Sequence, residues 1–256
     1  MPQRYELPQL FKLFELKNEY DFNGLVSSIN FEVLGKGRQG TVLVKQDEAG
    51  TPIVRTTSKY KTPAQYFKTI HKSLATSIEK IAQLKHSLNN ALIETYTNDY
   101  FKMGAHSDQA LDLEEETYIA VYSCYKCPNL DSIRTLIIES KVKTADTWEI
   151  PLMHNTVIVF STKTNQYFKH KIILDKSKNP PDNTWLGITY RTSKTFINYE
   201  RGKAYFESGE QLTLANTNQL KEFYKLRGAE NKLVDFRYPK IGFSISESDL
   251  VPPLMT

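Results

Sequence analysis

The chain has 256 residues, a formal net charge of +4, 40% hydrophobic residues and 24% charged residues. This length suits one large domain, or one domain with extensions, and leaves room for a sizeable core. Mild basicity is compatible with a nucleic-acid partner but does not demand one. The two cysteines are too few for a disulfide scaffold.

Membrane and secretory segments are not apparent in the sequence. No run of 18 apolar residues occurs, and the first residues do not form a signal-peptide pattern. We therefore expect an intracellular, soluble protein of the cytoplasm or nucleus with no membrane partner. The oligomeric state is left open.

The N-terminal part of the chain predicts a short helix and then a hairpin. Residues 7–14 are interpreted as the short helix, and residues 30–34 and 41–45 as two strands. The glycine-rich stretch between those strands matches the GxGxxGxV pattern of a phosphate-binding loop. A strand follows it rather than a helix, so we interpret it as a hairpin turn with glycine at positive φ.

The clearest helix in the sequence follows this hairpin. We predict that it begins with Thr62 as the cap and Pro63 in the first turn, and that it continues through Ile81 with apolar residues at a spacing of three and four. His71 within it and His86 near its end are assigned cap or surface roles.

Strand-like sequence dominates the central part of the chain. Six runs are rich in Ile, Val, Thr and Tyr, and no long helix separates them. This order favours a β-sandwich or a double-sheet barrel over a parallel sheet. The predicted strands are residues 90–96, 117–125, 133–139, 156–161, 168–174 and 185–191.

The last 60 or so residues read as a separate segment. A capped helix is predicted from Asn216 to Gly228, and a serine-containing tail follows it. We interpret this segment as an appendage packed on the core.

One cysteine pair has the spacing of a metal or redox motif. Cys124 and Cys127 form a lone CxxC, whereas a zinc site needs two further ligands and a thioredoxin-like role needs a βαβ setting. Buried or edge thiols are the favoured interpretation.

The triplet His106-Ser107-Asp108 is the most informative functional motif in the sequence. Two imidazoles and one carboxylate bind one face of a ferrous ion and leave the other face open. His154 and His170 both lie in strand-like sequence downstream, and His170 is favoured as the third ligand because it is nearer Arg191. The Arg191 guanidinium has the planar fork suited to a carboxylate. This order suggests a non-haem iron oxygenase.

Five ordered segments resemble the AlkB-like branch of the Fe(II)/2-oxoglutarate dioxygenases, over roughly residues 51–197. Each segment alone is weakly specific, but the ordered set of five is highly specific. They are Thr51–Tyr60, resembling the start of the family's substrate lid; Leu88–Tyr96 with the HSD triplet; Ile119–Cys124; Leu152–Val159; and Gly187–Arg191.

The resemblance implies an α+β fold with a double-stranded β-helix (jelly-roll) core, a supporting N-terminal helix and a C-terminal extension. The expected divisions are 1–50, an N-terminal segment with the hairpin; 51–197, the dioxygenase core; and 198–256, the appendage. It also implies an enzyme that uses Fe(II) and 2-oxoglutarate as cofactors, with O2 as co-substrate.

The resemblance further implies roles for individual residues. His106, Asp108 and His170 would form the catalytic metal centre, and His154 would be structural. Tyr96 and Arg191 would contact 2-oxoglutarate, with Ser193 as an alternative carboxylate contact through an RxS pattern. Arg55 and Tyr60 would lie in the substrate lid. The implied substrate is alkylated DNA or RNA, demethylated with release of formaldehyde.

Three positions depart from the family pattern. Trp185 stands where the family has the first of two arginines, and Glu94 and Gly187 replace asparagines. A different cation would then have to anchor the second carboxylate of 2-oxoglutarate, or the pose would shift; the candidate cations are Lys171, Lys194 and Arg134. The departures leave two alternatives open: the same chemistry on a protein, peptide or small molecule, or a catalytically silent binding module.

Overall fold

The computed structural model describes residues 7–142 and 147–254. The helices within these ranges are α1 (Leu7–Leu10), α2 (Phe22–Ser27), α3 (Thr69–Ala82), α4 (Thr162–Tyr167) and α5 (Thr217–Glu230). The strands are β1 (Phe11–Glu15), β2 (Glu32–Gly35), β3 (Arg38–Val44), β4 (Thr51–Pro52), β5 (Gln65–Tyr66), β6 (Asn90–Tyr96), β7 (Tyr118–Tyr125), β8 (Thr135–Ser140), β9 (Thr147–Pro151), β10 (Thr156–Ser161), β11 (Phe168–Ile173), β12 (Trp185–Arg191), β13 (Phe196–Glu200), β14 (Lys203–Phe206), β15 (Gln211–Leu214) and β16 (Phe243–Ser244).

Three sheets organise these strands. The main sheet has the order β1-β10-β7-β12-β6-β3-β2 and is antiparallel, with the short β5 added parallel to β3. A three-stranded sheet has the order β11-β8-β9. The third sheet, β16-β15-β14-β13-β4, joins the C-terminal strands to residues near position 51.

Each face of the main sheet buries its own apolar cluster. On one face α3 presents Leu74 and Ile78 to sheet residues that include Ile93 and Ile188. On the opposite face a second cluster joins main-sheet residues to β8, β11 and their neighbours. The second cluster includes Tyr96, Ile119, Val121, Leu136, Ile138, Ile158, Phe168 and Trp185. The protein is thus mostly antiparallel β structure in two facing layers with few helices, as a jelly-roll fold would be.

The six predicted central strands are confirmed to within two residues at each end as β6, β7, β8, β10, β11 and β12. The predicted hairpin is also confirmed, since β2 and β3 pair across a turn in which Gly37 has a φ of 70°. Both cysteines are free, with Cys124 buried and Cys127 exposed.

The predicted start of the long helix is wrong. α3 begins at Thr69 rather than near Thr62, because Gln65 and Tyr66 pair with β3 and take the preceding residues out of a helical path. The Gln65 side chain adds hydrogen bonds to Asn30 and Thr41. His71 accepts a hydrogen bond from the Lys68 backbone, so its cap role is confirmed, although its side chain is buried.

The predicted helix over residues 7–14 is also wrong beyond residue 10. Residues 11–15 form an edge strand on β10, with Phe11 opposite Phe160 and their rings 4.9 Å apart. Burial of the aromatic ring outweighs the local helical pattern. Strand β9, helix α4 and strands β13 to β15 did not feature among the predicted elements.

The predicted C-terminal helix is confirmed as α5. Its cap is Asn216, whose side-chain oxygen accepts hydrogen bonds from the backbones of Asn218 and Gln219. The strand β13 pairs with β4, so the C-terminal residues share a sheet with the beginning of the expected core. No helix in the described ranges is both long and apolar enough to cross a membrane.

Candidate metal centre and its cavity

A short backbone pairing brings two histidines together. His106 donates its backbone N–H to the His170 carbonyl at 2.9 Å, and His170 donates to the His106 carbonyl at 2.7 Å. Residues paired in this way project to the same face, and the two imidazole centroids lie 4.8 Å apart. Ser107 faces the other way, and its hydroxyl donates to the Phe168 carbonyl.

Asp108 completes a group of three candidate metal ligands. One ligand atom each from His106, Asp108 and His170 lies within 4.8 Å of the others, and His170 Nε2 is 3.5 Å from Asp108 Oδ1. His106 Nδ1 is 2.9 Å from the Gly104 carbonyl, which assigns the hydrogen to Nδ1 and leaves the lone pair on Nε2. Arg191 Nε donates to Asp108 Oδ2 at 2.7 Å, so Oδ1 faces the imidazoles.

The protonation states of the three side chains suit a divalent cation. Burial lowers the pKa of His170 to about 3, and burial likewise lowers the pKa of His106, so both imidazoles are neutral at pH 7. Burial alone would raise the pKa of Asp108, but the Arg191 charge outweighs it and holds this pKa well below its usual value. Two neutral imidazoles and one carboxylate therefore stand ready as ligands without loss of a proton, and they fit Fe(II).

Helix α4 fixes the backbone of Asp108. Asp108 donates its N–H to the Asn165 side-chain oxygen at 2.8 Å, and the Asn165 amide donates back to the Asp108 carbonyl at 2.7 Å. Asn165 is itself buried. This pair of bonds sets the direction in which the carboxylate leaves the chain.

Helix α5 fixes the residues on either side of Asp108. Arg227 donates to the Ser107 carbonyl, while the Ser107 N–H donates to the Asn231 side chain at 3.0 Å. Glu230 accepts from the Ala110 N–H at 2.8 Å and from Arg227 at 2.5 Å. The loop that carries His106 and Asp108 is thus held by a helix that follows the expected core in sequence.

The three ligands open into a cavity of about 350 Å³ between the main sheet and the three-stranded sheet. We call the part of the wall formed by His106, Asp108, His170 and Arg191 the metal end. We call the part formed by Arg38, Glu94, Tyr96 and Trp185 the far end. All eight residues line the cavity.

The far end is built around one carboxylate. Glu94 Oε1 accepts from Arg38 Nε at 2.8 Å and Nη2 at 2.5 Å, and Glu94 Oε2 accepts from the Tyr96 hydroxyl at 2.5 Å. Burial and the Glu94 charge raise the pKa of Tyr96 well above its usual value, so the phenol stays protonated. The Trp185 ring packs 4.9 Å from the Tyr96 ring, and its Nε1 donates to Ser123.

Three expected site residues lie outside the cavity wall. Arg55 is buried against Asp112, with its Nη1 donating to the carbonyls of Ile241 and Phe243, so its place is structural. Tyr60 is 3% exposed and does not line the cavity. Ser193 lies beyond the end of β12 and does not line the cavity; its hydroxyl donates to the Ile53 carbonyl at 2.5 Å.

His154 and the candidate cations also lie outside the candidate metal centre and the cavity wall. His154 Nδ1 accepts from the Tyr125 N–H at 3.0 Å and is not part of the ligand group. Lys171 pairs with Glu139, and Arg134 donates to backbone carbonyls. Neither these two cations nor Lys194 lines the cavity.

Arg38 and Arg227 also line the cavity, although neither was predicted to be a site residue. Arg38 lies inside the glycine-rich turn that resembles a phosphate loop. That stretch is interpreted as a hairpin turn, so no pattern marks Arg38 as a site residue. Arg227 lies in the predicted C-terminal helix, where no pattern connected it to the triplet.

Two imidazoles and one carboxylate on a two-layer antiparallel β fold are the donor set of a non-haem iron oxygenase. Residues 37–196 match the 2OG-Fe(II) oxygenase superfamily, and the chain belongs to that superfamily. The predicted class is therefore confirmed: the protein is a 2-oxoglutarate-dependent dioxygenase with Fe(II) and 2-oxoglutarate as cofactors.

Individual known proteins give less support to this assignment than the family match does. No curated protein matches the chain. Among solved structures, that of OsALKBH1 is similar, with 14% sequence identity, a TM-score of 0.43, and coverage of 64% of this chain and 84% of the other.

Proposed function

We propose that His106, Asp108 and His170 bind the catalytic Fe(II), and that the enzyme is an AlkB-like dioxygenase that demethylates an N-alkylated base in DNA or RNA. The observation that carries the metal assignment is the group of three ligand atoms within 4.8 Å. The Arg191 bond to Asp108 supports it, because it orients the carboxylate and keeps it ionised.

Other residues of the cavity wall have separate roles in this proposal. Fe(II), 2-oxoglutarate and O2 together supply the oxidation that hydroxylates a substrate C–H bond and yields succinate and CO2. Arg191 uses only its Nε on Asp108 among the described hydrogen bonds, so its Nη groups are available to a carboxylate of the co-substrate. Tyr96 and Trp185 form an aromatic wall at the far end.

The nucleic-acid substrate rests on the sequence resemblance and on the cavity wall. The HSD triplet, Tyr96 and Arg191 stand in the order that the AlkB-like branch shows. Tyr100 and Met103 also line the cavity, and the half-buried Tyr100 is an aromatic group that a base turned out of its stack would contact. Hydroxylation of an N-methyl carbon on that base would release formaldehyde.

A second candidate keeps the chemistry and changes the substrate to a protein, a peptide or a small molecule. The observation that favours it is the position of Arg55 and Tyr60, which the resemblance assigned to the lid and which lie outside the cavity. Arg227 and Asn231 line the cavity instead, and the family match does not extend to them.

The test supplies Fe(II), ascorbate and 2-oxoglutarate, and compares methylated with unmethylated oligonucleotides of the same sequence. We expect succinate and formaldehyde in equal amounts with the methylated strands only. Turnover of 2-oxoglutarate without formaldehyde would favour the second candidate. Absence of turnover under all conditions would favour a silent binding module. The Asp108→Asn variant is the inactive control.

A further inference from the structure

The two ends of the cavity lie on two different cross-strand rows of the same face of the main sheet. Arg38 on β3 is opposite Tyr96 on β6, and Tyr96 is opposite Trp185 on β12. Arg191 occupies the row six residues along β12, opposite Asn90. Because directly opposed residues project to the same face, the side chains of Arg38 and Arg191 enter one cavity from its two ends.

Three guanidinium groups line this cavity, and two are committed to the metal end. Arg191 holds Asp108, and Arg227 holds Glu230 and the Ser107 carbonyl. Arg38 is the cation of the far end. Burial would lower the pKa of Arg38, but the Glu94 charge outweighs it, so the guanidinium keeps its charge. Its hydrogen bonds to Glu94 and Ser58 use Nε and Nη2, and its Cζ also lies 5.5 Å from the centre of the Tyr100 ring.

The Trp185 indole closes the β12 side of the far end to any other cation. The ring lies over Gly187, where an added Cβ would come within 2.0 Å of it. The hydrogen bond from Nε1 to Ser123 holds it there at 2.8 Å. A positive charge can therefore reach this end of the described cavity from β3 but not from β12.

We propose that Arg38 binds the distal carboxylate of 2-oxoglutarate, with Glu94 holding its guanidinium in position. This inference rests on the proposed function, because it needs the 2-oxo acid end of the same molecule at the metal. The co-substrate is a dianion, and a buried carboxylate needs a paired cation. Arg38 supplies a planar donor fork that Glu94 occupies on one side only, at Nε and Nη2.

Glu94 orients Arg38 much as Asp108 is oriented by Arg191 at the other end. Its two oxygens are taken by Arg38 and by Tyr96, so the three side chains form one hydrogen-bonded unit. Arg38 also donates to Ser58 at 3.2 Å, which ties the unit to another residue of the cavity wall. A long, flexible side chain is thereby fixed before the co-substrate arrives.

The experiment compares two ligands of equal chain length that differ in the distal carboxylate. The dissociation constants of 2-oxoglutarate and 2-oxopentanoate are measured by calorimetry on anaerobic, Fe(II)-loaded protein. We expect the wild type to bind 2-oxoglutarate about 10- to 100-fold more tightly than 2-oxopentanoate. Arg38→Met should lose that preference while its affinity for 2-oxopentanoate stays unchanged. Arg38→Lys should keep part of the preference.

Arg237→Met serves as the matched control, since Arg237 is 79% exposed and lies outside this cavity. Thermal unfolding and Fe(II) stoichiometry are recorded for each variant. Equal loss of both ligands in Arg38→Met, or an unchanged preference for 2-oxoglutarate, would overturn the assignment of Arg38. Wild-type protein that binds Fe(II) but no 2-oxoglutarate would overturn the proposed function, and this inference with it.

Discussion

The metal end and the far end of the cavity are assembled in different ways. At the metal end, a triplet and one paired strand bring His106, Asp108 and His170 together, and the side chains of His106 and Asp108 each have a defined hydrogen-bond partner. At the far end, the groups come from three neighbouring strands, and tryptophan fills the space where an arginine was expected. A metal centre needs several ligands at fixed distances. A carboxylate anchor needs only a charge within reach, so its source can move between strands.

The largest effect that distinguishes the two ends is expected for Asp108→Asn. The amide keeps the size of the side chain but removes the ligand charge, so we predict loss of Fe(II) binding and of 2-oxoglutarate turnover. Metal content after anaerobic loading measures the first, and succinate release measures the second.

Asp112→Asn is the matched control for that variant, because Asp112 also pairs with a buried arginine, Arg55. Removing one member of a buried ion pair costs about 3–5 kcal/mol of stability. Both variants should therefore unfold at lower temperature, and only Asp108→Asn should lose the metal. Full metal content in Asp108→Asn would remove Asp108 from the ligand set.

A smaller effect is expected when helix α5 is detached from the metal end. Arg227→Met removes the donor to the Ser107 carbonyl and leaves Glu230 without its cation. Partners that orient metal ligands typically contribute about 10- to 100-fold in affinity, and we expect a loss of that size for Fe(II). Competition with a chelator measures it. Unchanged affinity would mean that the metal end does not depend on the C-terminal residues.

A change confined to the far end should spare the metal. In Gly187→Ala the added methyl group would collide with the Trp185 indole, which lies 2.0 Å from an ideal Cβ. We expect a loss of about 1–3 kcal/mol in stability, altered tryptophan fluorescence and unchanged Fe(II) affinity.

The same substitution at Gly228 provides the contrast. Gly228 lies within α5, and an added Cβ there has no neighbour within 4 Å. Gly228→Ala should raise stability by up to about 1 kcal/mol, because alanine is the better helix former. If Gly187→Ala were equally stabilising, the indole could not be packed over Gly187.

The smallest effect is expected for His154→Ala. Its Nδ1 accepts a hydrogen bond from the Tyr125 N–H, and loss of that bond costs about 1 kcal/mol. Fe(II) affinity should not change, whereas His170→Ala should abolish binding. The opposite pattern would reassign the third ligand to His154.

The difference between the two ends also explains how much the sequence could predict. The six central strands and the triplet could be recognised in the sequence, because alternation and short motifs are local signals. The choice between His154 and His170 depends on a backbone pairing over 60 residues apart in sequence, so residue spacing alone left it open. The resemblance favoured His170, which the structure places beside His106.

The place of Arg38 at the far end could not be predicted from the sequence, for a different physical reason. Arg38 enters the cavity through the register of β3 on β6, and a single sequence does not reveal which strands are neighbours. Arg55 and Tyr60 were assigned to the lid by resemblance, yet tertiary contacts bury them elsewhere. The start of α3 was misplaced because pairing of Gln65 with β3 overrides a favourable cap sequence.

The most direct test of a cavity with Fe(II) at one end and 2-oxoglutarate spanning to the other is an anaerobic titration followed by visible absorption. Wild-type protein loaded with Fe(II) should develop a weak charge-transfer band when 2-oxoglutarate is added. The band should be absent in Asp108→Asn and should require a higher 2-oxoglutarate concentration in Arg38→Met. Wild-type protein that binds Fe(II) yet shows no band at any 2-oxoglutarate concentration would contradict the account.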